Sequence, residues 1–199
     1  MIQISAFMPT VLTSVPNMRY SKIREMDVSN GEGLGISLFV QGCHFHCRGC
    51  FNPETWDFNG GKEWNKQVEQ QFLHLASKPY VNRISILGGE PLCDENVLCV
   101  CDLVDKLKYL YPDKKIWVYT GYKYEDIINL SEPFYKQDWN VINRIKLIHM
   151  IDVLVDGQFQ LENQDLYNEH IVWAGSTNQR VIDVPATLSD GKIHIYNSK

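Results

Sequence analysis

The sequence predicts an α/β fold: a partial, open β/α barrel with mostly parallel strands. Short apolar runs alternate with segments of helical period, the pattern of a parallel sheet with right-handed crossovers. Several runs stop at glycine, which marks turns at their ends. The runs are too few to close an eightfold barrel.

Taken in order, Ile36–Val40 reads as a strand leading into a cysteine-rich loop. Trp64–Lys78 reads as a helix because Val68, Phe72, Leu73, Leu75 and Ala76 share one face. Ile84–Leu87 is a second strand, stopped by Gly88-Gly89. Glu95–Tyr111 is the clearest amphipathic helix, with Val97, Val100, Cys101, Val104 and Leu107 in its apolar stripe and Pro112 closing it. Lys115–Thr120 is a third strand, Tyr124–Leu130 a short helix and Asp138–His149 a further helix. Asp152–Val155 is a fourth strand, ending at Asp156-Gly157, and weaker strands fall near Ile171–Trp173 and Val181–Val184.

The 199 residues read as a single domain, 1–199, with a core over about 22–184 and an extension at each end. Nineteen basic against 24 acidic residues give a net charge of −5, which argues against broad binding of a phosphate backbone, so no nucleic-acid role is expected. The N-terminal segment lacks the basic start and continuous apolar stretch of a signal peptide. No run approaches 18 apolar residues, so no membrane span is expected. The expected location is the cytoplasm, where clustered cysteines bind metal or do chemistry and seldom form disulfides.

Three of the six cysteines fall within eight residues, as Cys43-x3-Cys47-x2-Cys50. A structural zinc site wants four protein ligands, and an electron-transfer 4Fe–4S cluster wants four cysteines. A cubane held by three leaves one iron open to a substrate. Zinc, with His44 or His46 as fourth ligand, is the competing reading. A second feature is SILGGEPLCDENV, residues 85–97, where Gly88 and Gly89 free the main chain at the end of a strand and Glu90 adds a carboxylate. Such a turn suits a ligand ammonium group; its plain alternative is a strand-to-helix connection. Ligands of parallel sheets sit at the carboxyl ends of the strands. Cys43–Cys50, Gly88–Glu90, Thr120-Gly121 and Asp156-Gly157 are therefore expected to converge on one edge.

The cysteine loop followed by Gly88-Gly89-Glu90-Pro91 resembles the radical S-adenosylmethionine superfamily. Within it the chain is similar to the activating proteins of anaerobic ribonucleoside-triphosphate reductase. That narrower likeness rests on residues 30–56 (NGEGLGISLFVQGCHFHCRGCFNPETW), 115–122 (KIWVYTGY), 151–159 (IDVLVDGQF) and 173–183 (WAGSTNQRVID). Gly49 stands where many members of the wider superfamily carry an aromatic residue, and Phe51 follows the third cysteine, which agrees with the narrower pattern.

The resemblance implies that Cys43, Cys47 and Cys50 hold a 4Fe–4S cluster whose open iron is chelated by S-adenosylmethionine. It implies that Gly88, Gly89 and Glu90 receive the methionine amino group and that Gly49, Cys50 and Phe51 line the adenine side. It further implies reductive cleavage to methionine and a 5′-deoxyadenosyl radical, which takes a hydrogen atom from a glycine of the anaerobic ribonucleotide reductase catalytic subunit. An electron donor such as a flavodoxin or ferredoxin is the second implied partner. No Ser-His-Asp or Cys-His nucleophile arrangement stands out, so no catalytic residue is expected beyond the cluster ligands.

Other residues invite roles and have plainer readings. Cys93, Cys99 and Cys101 read as packing thiols. His44 and His46 either tune the cluster by hydrogen bonding or face solvent. Asp156 either binds ligand or partner or caps its turn. Trp56, Trp117 and Tyr119 read as core or rim aromatics. Two alternative functions stay open: a radical enzyme acting on a small molecule or on another glycyl-radical protein, and a zinc-stabilised interaction module.

Overall fold

β-Branched and aromatic runs set the centre of the molecule. A computed structural model describes residues 18–129, 138–164 and 173–197. Its strands are β1 (Arg19–Asp27), β2 (Gly35–Val40), β3 (Lys62–Glu63), β4 (Arg83–Gly88), β5 (Lys115–Tyr119), β6 (Val153–Asp156) and β7 (Arg180–Asp183). Between and after them lie α1 (Lys66–Ala76), α2 (Val97–Leu110), α3 (Tyr124–Asn129), α4 (Trp139–Met150) and α5 (Val184–Asp190). The seven strands form one sheet in the order β3-β1-β2-β4-β5-β6-β7. The sheet is open. Its four central strands, β2, β4, β5 and β6, are parallel, which demands the intervening helices as crossovers.

Alternation sorts the side chains between two faces. Ile36, Leu38 and Val40 of β2, Ile84 and Ile86 of β4, Ile116 and Val118 of β5 and Leu154 of β6 pack against the helices. Phe72 of α1, Leu103 and Leu107 of α2, Leu147 of α4 and Val184 of α5 belong to the same core. Trp117, Val153 and Val155 gather on the other face with Trp173 and Tyr196. Helix starts are fixed by side-chain caps: Asn65 accepts from Val68 N at 3.0 Å, Asp138 from Asn140 N at 2.8 Å and Asp183 from Ala186 N at 3.0 Å.

The outer strands differ from the expected elements. β1 and β3 are antiparallel additions at one edge, and β7 runs antiparallel to β6 at the other. The segment after Val184 packs on the sheet: it forms α5, then Ile195 bridges Ile182 and the Tyr196 ring comes 5.1 Å from Trp117. Residues 1–17, Leu130 and positions 171–172 of the weaker strand lie outside the described residues. Trp173 has a positive φ of 70° and is not in a strand.

Away from the helices, one end of the sheet is plugged by polar groups. Arg83 is 1% exposed and Asp27 2%. The Arg83 guanidinium donates to Asp27 O at 2.5 Å, to Asn30 O at 2.6 Å and to Ser85 Oγ, and lies 3.8 Å from the Asp27 carboxylate. A buried charge of this kind persists because both terminal nitrogens donate, although Nε has no hydrogen-bond partner among the described residues. Arg83→Met removes the cation and leaves the Asp27 carboxylate, still held by Ser29 N, Asn30 N and the Asn30 amide, without its buried counter-charge. Urea unfolding of the metal-free protein is expected to show a loss of about 3 kcal/mol, the low end of such cases because Arg24 stays 3.8 Å from Asp27. The double variant Asp27→Asn, Arg83→Met is expected to lose less than the sum of the single changes.

Candidate metal centre

The carboxyl ends of the parallel strands open on one cavity of about 480 Å³. Cys43, Cys47 and Cys50 line it, together with Gly88, Gly89, Glu90, Thr120, Gly121 and Gly157. The four expected strand-end segments therefore meet, although Asp156 itself is turned away. The cysteine loop follows β2 directly. Gly42 N donates to Thr55 O at 2.7 Å and Cys43 N to Trp56 O at 3.1 Å, so the loop is folded back on the segment that follows it.

The loop is also tied to the next strand. Gly89 N donates to Val40 O at 2.8 Å and Glu90 N to Gly42 O at 2.7 Å. A Cβ on Gly89 would sit 2.4 Å from Gly42 O, so no other residue allows this approach. Gly88 has φ +106° and lies against the Phe39 backbone. The side chain of Asn96, just before α2, donates to Gln41 O at 2.9 Å and to Glu90 O at 3.0 Å, binding the same two turns from behind.

Glu90 is only 2% exposed. Its Oε1 accepts from Leu92 N at 2.9 Å and from Thr120 Oγ at 2.7 Å, and its Oε2 accepts from Gly121 N at 2.7 Å. The carboxyl thus joins the ends of β4 and β5. Burial pushes its pKa up to about 7 against the pull of these donors and of Arg144.

The three thiols fit a metal cluster. Main-chain N–H groups reach the sulfurs: Asn52 N lies 3.4 Å from Cys50 Sγ, Phe45 and His46 N–H groups serve Cys43, and the Phe159 N–H serves Cys47. Burial raises the Cys43 thiol to about 11, so holding it as thiolate requires the positive charge of a bound metal group. Among the described residues no three His, Cys, Asp or Glu side chains are placed to hold a single metal ion. A cubane spreads its ligands over separate corners. Three soft thiol donors on one cavity wall are the kind of donor set such a cluster takes.

Neither histidine joins the thiols. His44 Nε2 is 3.0 Å from Glu95 Oε1 with its ring on Phe58, and His46 stacks on Trp56 at 4.8 Å. Both line a separate surface hollow. Phe51 faces the cavity and pairs with Phe159 at 5.0 Å, whereas Gly49 lies against Leu161. Cys93, Cys99 and Cys101 are buried away from the cavity. Asp156 is buried, accepts from Tyr124 N at 2.8 Å and pairs with Arg180, so it anchors the start of α3. Trp117 belongs to the core.

Phe39, Phe159, Trp173 and Gln179 also wall the cavity, and single-residue chemistry gave no sign of them. Gln179 accepts from Gly175 N and donates to Gly157 O at 2.8 Å, holding residues 173–179 over the site. The signal for Trp173 and Gln179 was the WAGSTNQRVID stretch as a whole, and Phe39 and Phe159 fall in the stretches 30–56 and 151–159.

A family model described as a 4Fe-4S single cluster domain matches residues 29–182. An anaerobic ribonucleoside-triphosphate reductase-activating protein of Escherichia coli (strain K12) is 36% identical over 166 residues, covering 82% of this chain and 97% of that protein. The proteins of that name from Enterobacteria phage T4 and Pasteurella multocida are 32% and 35% identical over 164 residues each, covering 82% and 81% of this chain and 93% and 95% of theirs. The chain belongs to this family of activating proteins. The match from Ser29 to Ile182 takes in the cysteine loop, the Gly88–Glu90 turn and the covering segment alike. Among the described residues no helix is long and apolar enough to cross a membrane.

The Glu90 pKa makes stability fall as pH rises. Between the unfolded carboxyl value of 4.5 and about 7 the folded state holds the proton that the unfolded state has lost. Stability of the metal-free protein is therefore greatest below pH 4.5 as far as this group is concerned, and it declines by about 3 kcal/mol across that window. Urea titrations at stepped pH are expected to show this decline in the native protein and its loss in Glu90→Gln.

Proposed function

We propose that the chain is an iron–sulfur, radical S-adenosylmethionine enzyme that generates the glycyl radical of an anaerobic ribonucleotide reductase. One observation carries this reading: the three-thiol loop and the Gly88–Glu90 turn wall the same cavity and are hydrogen-bonded to each other through Glu90 N and Gly42 O. The names of the relatives supply the target. The open sheet, taken as a partial β/α barrel, leaves a mouth that a segment of another protein can enter.

When bound, the cluster and S-adenosylmethionine supply one-electron chemistry that ends in removal of a hydrogen atom from a glycine of the reductase. The residues of the chain bind, orient and shield. Cys43, Cys47 and Cys50 hold the cluster, and their N–H donors stabilise thiolate charge. The N–H groups of Gly89 and Glu90 are used internally and Glu90 O is held by Asn96, so a ligand ammonium would take the remaining carbonyl oxygens of the turn. The Glu90 carboxyl stands behind that turn and favours a cation there. Phe51, with Cys50 and the neighbouring Gly49, forms the adenine side, backed by Phe159. Phe45, Phe159 and Trp173 keep water from the reacting atoms. The electron comes from a flavodoxin or ferredoxin, and the reaction takes place in the cytoplasm.

Anaerobically reconstituted protein, mixed with a strong reductant, S-adenosylmethionine and the reductase, is expected to give a glycyl-radical EPR signal. Cys43→Ala, Cys47→Ala and Cys50→Ala are each expected to lose cluster iron and that signal together. A colourless protein with zinc and no iron or sulfide would contradict the proposal. Formation of 5′-deoxyadenosine without a glycyl radical would move the assignment to another substrate.

A further inference from the structure

Tyr119 lines the cavity, yet its hydroxyl is buried and has no hydrogen-bond partner. Strand register explains its position. Phe39 pairs with Leu87 and Tyr119 with Val155, while Ile86 pairs with Val118 one step earlier. Phe39, Leu87, Tyr119 and Val155 therefore form a row across the sheet, one residue before the edge that carries the thiols and the Gly88–Glu90 turn. Phe39, Leu87 and Tyr119 face the cavity. Below this row the Arg83–Asp27–Ser85 plug closes the sheet. The cavity thus has a polar, sulfur-bearing rim and, beneath it, the row of Phe39, Leu87 and Tyr119, with Arg24, Ser29 and Asn30 on the wall beside that row.

An unpaired buried hydroxyl is costly, and the cost is relieved when a ligand supplies the partner. Burial raises the Tyr119 pKa, so the group remains an O–H and can donate. The proposed cluster and cofactor groups belong to the rim. What enters deeper is the target. A glycine has no side chain, so its Cα can lie on apolar side chains with a carbonyl beside it directed at a donor. At the cavity wall, the Arg24 guanidinium stacks 4.9 Å from the Phe39 ring centroid and offers further donors to the same segment.

We infer that Tyr119 is a positioning residue for the target polypeptide: its hydroxyl donates to a main-chain carbonyl next to the reacting glycine, whose Cα rests on Phe39 and Leu87. The inference rests on the proposed function and adds the residue that sets the depth and register of the entering loop.

The test uses reconstituted holoenzyme and the full-length reductase. Tyr119→Phe keeps the ring and removes the donor. The reductase concentration giving half-maximal glycyl-radical formation is expected to rise about tenfold, the loss of one well-made hydrogen bond. The dissociation constant for S-adenosylmethionine, measured without reductase, is expected to stay at the wild-type value. Arg24→Met, which keeps the stem over Phe39, is expected to shift the half-maximal concentration in the same direction and carries the test if the first variant fails to fold. An unchanged half-maximal concentration would overturn the inference. So would weaker S-adenosylmethionine binding by the same factor, which would give the hydroxyl to the cofactor. A wild-type protein that forms no glycyl radical would instead overturn the function on which the inference rests.

Discussion

The buried carboxyl of Glu90 is the constraint on which the site depends. Its own N–H holds the cysteine loop through Gly42 O, and its oxygens hold the start of the Thr120-Gly121 turn. Three strand ends are thereby fixed to one another by one residue. Such a network specifies geometry because each partner is used and none can shift alone. The close contact of Gly89 with Gly42 follows from the same tie. Without this anchor the thiol loop would keep its ties to Thr55 and Trp56 but lose its direct link to Glu90 and the end of β5. With it, three sulfurs and an acceptor-rich turn face one space.

Strand register carries that arrangement inward. Parallel pairing in the order β2-β4-β5-β6 sets residues in rows, and each row has one chemical character. The edge carries sulfur, backbone and carboxyl groups. The next row is aromatic and aliphatic apart from one tyrosine hydroxyl. Farther down, the Arg83–Asp27 plug closes the face that the helices leave uncovered. Helices α1, α2 and α4 pack on the opposite face, so the site is built on a rigid, fully cored sheet. The segment from Trp173 to Gln179 completes the wall, pinned through Gln179 to Gly157.

The central strands and the thiol loop were legible in the sequence because each rests on a local signal. Ile36–Val40 and Ile84–Leu87 are apolar runs, and the cysteine spacing has few chemical explanations. β1 was not legible. Arg19, Lys22, Arg24, Glu25 and Asp27 make it too polar for a strand pattern, and its place comes from pairing with β2 and β3. Two-residue β3 has no signal of its own. The direction of β7 depends on the intervening chain, and α5 is a single short stretch whose cap, Asp183, is also the last residue of a strand. Glu90 was read from sequence as a group facing a ligand, but its oxygens turn inward to Leu92, Thr120 and Gly121. Tyr119 was read as an ordinary aromatic because an unpaired hydroxyl is a property of the fold and leaves no trace in the residue type. Asp156 showed the reverse: a suggestive carboxylate whose partners, Tyr124 N and Arg180, are structural.

The proposed function requires three thiolates to hold a cluster with one iron left for a cofactor. Mössbauer spectroscopy of protein reconstituted with iron-57, recorded with and without S-adenosylmethionine, tests it most directly. The account predicts a 4Fe–4S spectrum in which a single iron site changes on addition of the cofactor while the others do not. A spectrum of equivalent irons that ignores the cofactor, or the absence of a cubane signal after reconstitution, would contradict it.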